Sequence, residues 1–199
     1  MSTQSFTSCT AFLGTERIAS GDLRAVAEAA KARIDRGDPP ALLIFDDVTS
    51  QPVELDLRGT LADVLARLPV TAETPEGEAE ESAEARSPGR PKLGVVAREV
   101  TLLPRHWEWL GTQPGGASVT LRKLVEAARK SHVEEDRLRQ RREAAYRFMT
   151  AMGGNEVGFE EAIRALFAGQ REPFETSLES WPPDVRQHVQ ALAGDAFQA

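Results

Sequence analysis

The chain has 199 residues, 41% hydrophobic and 28% charged, with a formal net charge of -7, the balance of a soluble globular protein with room for one domain or two small ones. No stretch approaches the roughly 18 successive apolar residues of a membrane-spanning helix, and the N-terminus has neither a basic start nor an apolar run of signal length. A cytoplasmic protein without a membrane span is expected. The single cysteine, Cys9, excludes an internal disulfide and fits a reducing compartment.

Residues 1–70 read as a small α+β module. Phe6 to Phe12 and Arg17 to Ala19 flank Gly14 as the arms of a hairpin. Asp22 to Ile34 carries Leu23, Val26, Ala27, Ala30 and Ile34 on one helical face, and Gly37 with Pro39-Pro40 stops it. A second hairpin is expected from Ala41 to Asp46, the turn residues Asp47 to Gln51, and a return strand in which Val53, Leu55 and Leu57 alternate with Glu54, Asp56 and Arg58. Thr60 caps a helix bearing Leu61, Val64, Leu65 and Leu68. The order ββαββα implies one antiparallel sheet with helices on a single face. Asp46, Asp47, Glu54 and Asp56 cluster near the second turn, but no glycine-punctuated loop surrounds them, and carboxylates at turns bond their own backbone; no metal is expected.

Thr71 to Ala85 holds six Glu and no basic residue, with too little apolar surface for a core, so 71–88 is expected to be an acidic disordered linker. Beside Arg86, Arg90 and Lys92 it could also compete with DNA as an internal mimic of phosphate charge. Pro88-Gly89-Arg90-Pro91-Lys92 resembles the core of an AT-hook, which lies in the narrow minor groove of A·T-rich DNA. Ser87 and Pro88 stand where a basic flank would be, and the same residues also read as a stiff extended connection. In either reading Arg90 and Lys92 sit just before the next strand, placed to touch a nucleic-acid backbone.

Residues 89–131 read as strand, helix, helix. From Val95 to Leu102, Val96, Arg98, Val100 and Leu102 alternate with Val95, Ala97, Glu99 and Thr101, the period of a half-buried strand. Pro104 opens a short helix with His106, Trp107 and Leu110 on one face. Gly111, Pro114, Gly115 and Gly116 end it. Ser118 then reads as the N-cap of a second helix striped by Leu121, Leu124, Val125 and Ala128.

This order resembles the ribbon-helix-helix proteins, in which two chains pair their strands into a ribbon that enters the DNA major groove while four helices form the dimer core. The resemblance implies a homodimer, since a lone strand leaves its backbone groups unpaired. It implies a dimer core of Val96, Val100, Leu102, Trp107, Leu110, Leu121 and Val125. Ala97, Glu99 and Thr101 would face base edges, and Ser118, Arg122 and Lys123 would meet phosphate at the start of the second helix. Glu99 departs from the pattern, because a carboxylate is repelled by phosphate even though it can accept from cytosine N4. A slip of one residue would exchange the strand's two faces and turn Arg98 outward. Ser118 also reads as an ordinary cap.

Val133 to Met152 continues or restarts the helix, with Leu138, Ala145, Phe148, Met149 and Met152 as its apolar positions and Gly153-Gly154 as its end. Phe159, Ile163, Leu166 and Phe167 stripe a helix up to Gly169, and Pro182-Pro183 precedes a last one with Val185, Val189 and Leu192. Residues 132–199 thus form a helical region expected to pack against the dimer core. Trp181 reads either as an anchor for a protein partner or as a buried core residue.

Charge divides the chain in three. Residues 1–85 carry 7 Lys or Arg against 16 Asp or Glu, residues 86–152 carry 14 against 7, and residues 153–199 carry 3 against 8. A basic middle in an acidic chain fits a nucleic-acid contact confined to that segment. Arg137, Arg139, Arg141 and Arg142 account for much of the excess and also read as a solvated helix face or as partners of Glu134 and Glu135.

The chain has no phosphate-cradling or dinucleotide fingerprint, no HExxH, no GxSxG and no paired cysteines, and His106, His132 and His188 lack metal spacing. No enzyme activity and no cofactor are expected; an unfamiliar enzyme using Asp46, Asp47 and Asp56 has no motif behind it. Through GRPKLGVVAREVTLLPRHWEWL and the segment Thr10 to Gly21, the whole chain is similar to an uncharacterised bacterial family, a domain of unknown function, which implies no activity. The expectation is a dimeric, DNA-binding protein of transcriptional-regulator type. The alternative is an interaction or scaffold module that keeps the dimer fold without DNA contact.

Overall fold

The computed structural model describes residues 8–37, 41–69 and 96–197. They fall into two compact units, one built from the chain up to Thr71 together with Val133–Ala199, the other lying within Ala72–His132.

The first unit starts with the expected hairpin, β1 (Cys9–Leu13) and β2 (Glu16–Gly21). Gly14, at φ 58°, supplies the left-handed residue of its tight turn. The register shifts between Ala11, opposite Ala19, and Phe12, opposite Arg17, so Ile18 is the extra residue of a bulge. β3 (Leu42–Asp46) pairs antiparallel with β1 on its other side, giving the order β2-β1-β3.

The second hairpin does not form. Val53 donates to Ile44 O at 2.8 Å and Phe45 bridges Pro52, but the chain then leaves the sheet edge. Val53, Leu55 and Leu57 turn into the apolar cluster under the sheet. The Arg67 guanidinium donates to Asp56 O at 2.9 Å and also to Arg58 O, taking carbonyls that a ladder would use. The module is therefore ββαβα. Its helices are α1 (Leu23–Asp35), whose N-cap Asp22 accepts from Ala25 N at 3.0 Å, and α2 (Leu61–Arg67), started by a Thr60–Asp63 capping box.

Both faces of the sheet are apolar, so both need cover. Cys9, Ala11 and Ile44 pack against Leu23, Val26 and Ala30 of α1. Phe12 and Phe45, on the opposite face, are covered by the C-terminal helices α5 (Val133–Gly153), α6 (Phe159–Ala168), α7 (Arg171–Ser177) and α8 (Pro183–Ala193). Phe148 of α5 lies 5.3 Å from Phe12 and 5.0 Å from Phe45 between ring centroids. Burying such a ring contributes about 2–3 kcal/mol. The helices expected on one face of the sheet thus occupy two, and the C-terminal ones close the sheet's own core.

Trp181 resolves to its second reading. It is buried, donates from Nε1 to Val157 O at 2.9 Å, and rests on the helical glycine Gly153. α7 was not anticipated; it is two turns long with one buried apolar residue, Phe174, too little to make a periodic stripe.

Candidate functional site

The described part of the second unit runs from Val96 to His132. Val96 to Leu103 forms no strand in the single chain. A strand needs a neighbour for its N–H and C=O groups, and the described residues of the single chain offer this segment none. Ala97, Glu99 and Thr101, the expected base-facing residues, are exposed along this segment.

Pro104 opens α3 (Pro104–Gly111) as its sequence predicts. α4 spans Gly116–Ser131, and here the expectation is corrected: its N-cap is Gly115, at φ 86°, and Ser118 is an exposed first-turn residue. The left-handed Gly115 sets the chain into the helix three residues before Ser118, so the serine cannot occupy the cap geometry. No side chain caps α4. Arg122 and Lys123 follow on exposed positions of the second turn.

Of the residues assigned to a dimer core, Leu110 is buried, at 2% exposure. Leu102 and Leu121 are half-buried, whereas Val96 (73%), Val100 (54%), Trp107 (44%) and Val125 (65%) are open to solvent. Leu103, Trp109 and Leu124 are exposed as well. α4 buries no residue at all within one chain. These exposed apolar side chains are gathered on one short unit.

The charges around them divide cleanly. Arg129 and Lys130 share Glu126, at 3.0 and 3.7 Å. Arg98, Arg105, Arg122 and Lys123 have no ion-pair partner among the described residues, and neither do the carboxylates Glu99 and Glu108. In α5, by contrast, four of the five arginines are engaged, Arg137 with Asp195 at 2.7 Å, Arg139 with Asp136 at 2.6 Å, Arg142 with Ala196 O and Arg147 with Thr49 O, and Arg141 is the exception. Four of the five α5 arginines are therefore engaged within the first unit, while Arg98, Arg105, Arg122 and Lys123 gather uncommitted positive charge on the short second unit. Arg98, which the sequence placed outward only in a slipped register, belongs to that set, and so does Arg105, which was not singled out; Arg105 stands one helical turn before Trp109, a spacing that could have marked both. Arg90 and Lys92, with the AT-hook-like segment and the acidic stretch 71–88, lie outside the described residues.

Asp46, Asp47 and Asp56 of the first unit's carboxylate cluster are taken up by neighbouring hydroxyls, backbone N–H groups and a guanidinium. Asp46 accepts from Thr49 N at 2.8 Å and Thr49 Oγ1 at 2.6 Å. Asp47 accepts from the hydroxyls of Ser8 and Thr10, and Asp56 pairs with Arg58 at 2.8 Å. The Arg58 guanidinium holds the Asp56 carboxyl well below the usual carboxylate range. No group of three or more His, Cys, Asp or Glu among the described residues is arranged to hold a metal ion. Cys9 is fully buried, and burial, then Asp46 and Asp47, push its thiol up to about 11. A thiol so placed stays protonated at neutral pH and is a poor nucleophile. No described helix is long and apolar enough to cross a membrane.

A family model described as an uncharacterised protein conserved in bacteria (DUF2239) matches residues 8–193. No curated protein and no solved structure matches the chain.

Proposed function

The chain belongs to this bacterial family of uncharacterised proteins, DUF2239, and from that premise we propose that it is a dimeric, non-enzymatic DNA-binding protein of transcriptional-regulator type, using a ribbon-helix-helix-like second unit. The observation that carries the reading is the coincidence of open apolar side chains and uncommitted cations on one short unit. Val96, Val100, Trp107 and Val125 are the residues that strand pairing and helix packing between two copies would cover. A paired ribbon would also supply the ladder that one copy of 96–102 lacks. In the dimer the uncapped start of α4 offers backbone N–H groups and a helix dipole to phosphate, with Arg122 and Lys123 adding charge. Arg90 and Lys92 would extend the backbone contact, and Ala97, Glu99 and Thr101 would face base edges.

A second reading keeps the dimer and replaces DNA with a protein partner. Glu99 favours it, since an exposed, unpaired carboxylate on the groove-facing side opposes phosphate. Light scattering combined with a mobility-shift titration of the full chain separates them. A dimer that shifts DNA in a salt-dependent way supports the regulator, a dimer indifferent to DNA supports the interaction module, and a monomer at micromolar concentration sinks both. The double variant Arg122→Ala with Lys123→Ala removes four cations per dimer. If each neutralises one phosphate, the slope of log K against log salt becomes shallower by about 3.6, at about 0.9 per contact.

A further inference from the structure

His188 lies at the centre of the first unit, in α8, and nothing proposed for the second unit uses it. Its ring is 7% exposed as a residue, packed at 4.5 Å from the Phe148 ring of α5 and 5.4 Å from the Phe12 ring of β1. Its Nε2 is buried and has no hydrogen-bond partner. An apolar residue at this position would complete the Val185, Val189, Leu192 stripe without leaving a polar atom stranded. A buried imidazole instead leaves a proton-accepting group inside the seam that holds α8 to the sheet and to α5.

We propose that His188 is an acid-operated latch: protonation of the buried imidazole loosens α8 from α5 and the sheet, while the neutral ring keeps it closed. The charge would arise between two phenyl rings in a seam that offers Nε2 no acceptor, so the charged ring is favoured where α8 has moved out to water.

The charged groups around the seam set its sign. From β2, Arg17 faces the ring; its N–H donates to Asp184 and its guanidinium to Gln187, each at 2.9 Å, and its charge opposes protonation. From the turn after β3, Asp47 favours protonation, but its carboxylate is already occupied by the Ser8 and Thr10 hydroxyls. From α5, Arg147 is turned to Thr49 O, Arg137 to Asp195 and Arg142 to Ala196 O. On α8 itself, Asp184 is taken by Arg17, and Arg186 donates to Glu179 O. Burial is the largest influence and outweighs Asp47, so the imidazole titrates below its ordinary value of about 6.5. Because the docked value is the lower one, docking is fully supported above pH about 6.5 and weakens as pH falls through and below it.

Amide hydrogen exchange of the full chain, corrected for the intrinsic pH dependence of exchange, tests the latch on α8. Between pH 7.5 and pH 5.0 the amides of α8 should lose protection about tenfold, ahead of those in α1. His188→Phe, which keeps a ring in the seam and cannot titrate, should abolish that selective loss. Asp47→Asn withdraws the one favourable charge and should enlarge it, which keeps the idea testable if the phenylalanine variant does not fold. Unchanged protection of α8 on acidification, or the same loss in His188→Phe as in the wild type, would overturn the proposal. A His188 imidazole titrating at or above 6.5 in proton NMR would overturn it as well.

Discussion

Gly153→Ala provides a severe test of the core packing. Gly153 ends α5 in an ordinary helical conformation, so no backbone requirement keeps it a glycine. A Cβ there would lie 2.2 Å from Cζ3 and 2.4 Å from Cη2 of Trp181, against the 3.5–4.0 Å of a normal carbon contact. The indole would have to retreat by more than about 1 Å. Overpacking of that kind costs about 1–3 kcal/mol. If the shift also breaks the bond from Nε1 to Val157 O, now 2.9 Å, about 1 kcal/mol more is lost. Alanine recovers at most about 1 kcal/mol of helix propensity, and less at the last residue of a helix. The balance is destabilisation by about 1–3 kcal/mol, or a melting temperature about 3–10 °C lower for a chain of this size. Thermal unfolding by circular dichroism gives the shift. Tryptophan emission, recorded with Trp107 and Trp109 changed to Phe, reports whether Trp181 has moved toward water. Gly111→Ala is the control: it also ends a helix, and a Cβ there meets nothing within 4 Å, so it should be neutral or slightly stabilising. A Gly153→Ala protein that melts at or above the wild type would refute the close approach of Trp181 and with it the seating of the C-terminal helices.

Other consequences are open to simpler measurements. Phe148→Ala, which empties the space between Phe12 and Phe45, should cost about 3–5 kcal/mol in urea unfolding, the largest single loss in the first unit. Ser50 is fully buried at φ 52° with an unpartnered hydroxyl, so Ser50→Gly should raise stability by about 1 kcal/mol despite the added freedom of the unfolded chain. Cys9 titrates near 11 when folded, above its ordinary value of 9.0; the wild type should therefore lose stability relative to Cys9→Ala as pH rises through that interval and match its pH dependence below it. Val125→Asp should leave unfolding of the first unit unchanged while lowering the mass seen by light scattering, and retention of a dimer would remove Val125 from the interface.

Local rules carried much of the fold. Asp22 and Thr60 cap the helices they precede, Gly14 turns its hairpin, and Pro104 and Pro183 open helices, because each acts through its own backbone or one turn away. The errors came where distant groups intervene. Val53 to Leu57 alternates like a strand, yet Arg67, ten residues beyond Leu57, binds the carbonyls a strand would need. Ser118 has the right chemistry for a cap, but Gly115 reaches the left-handed geometry first. Which face the C-terminal helices would cover was not legible, since the stripe at Ala145, Phe148 and Met149 says only that something apolar lies opposite. The burial of His188 was legible in principle: it sits three residues after Val185 and four before Leu192, on the face that packs. In the second unit the sequence marked most of the apolar and basic residues but not Leu103, Arg105 or Trp109, and their exposure and freedom from ion pairs depend on the fold around them.

The first unit is assembled from two stretches of chain separated by the whole of the second, and this has a bearing on its birth at the ribosome. Phe12 and Phe45 emerge early, but their cover, Phe148, is made about a hundred residues later. At about 5–20 residues per second, the aromatic side of the nascent sheet waits on the order of 5–20 s for its lid. During that wait the hairpin can form and α1 can dock on the finished face, whereas the other face stays sticky. A holding chaperone would find its binding site there, and a stop codon anywhere before α5 would leave a half-covered sheet prone to aggregate, however complete the inserted unit.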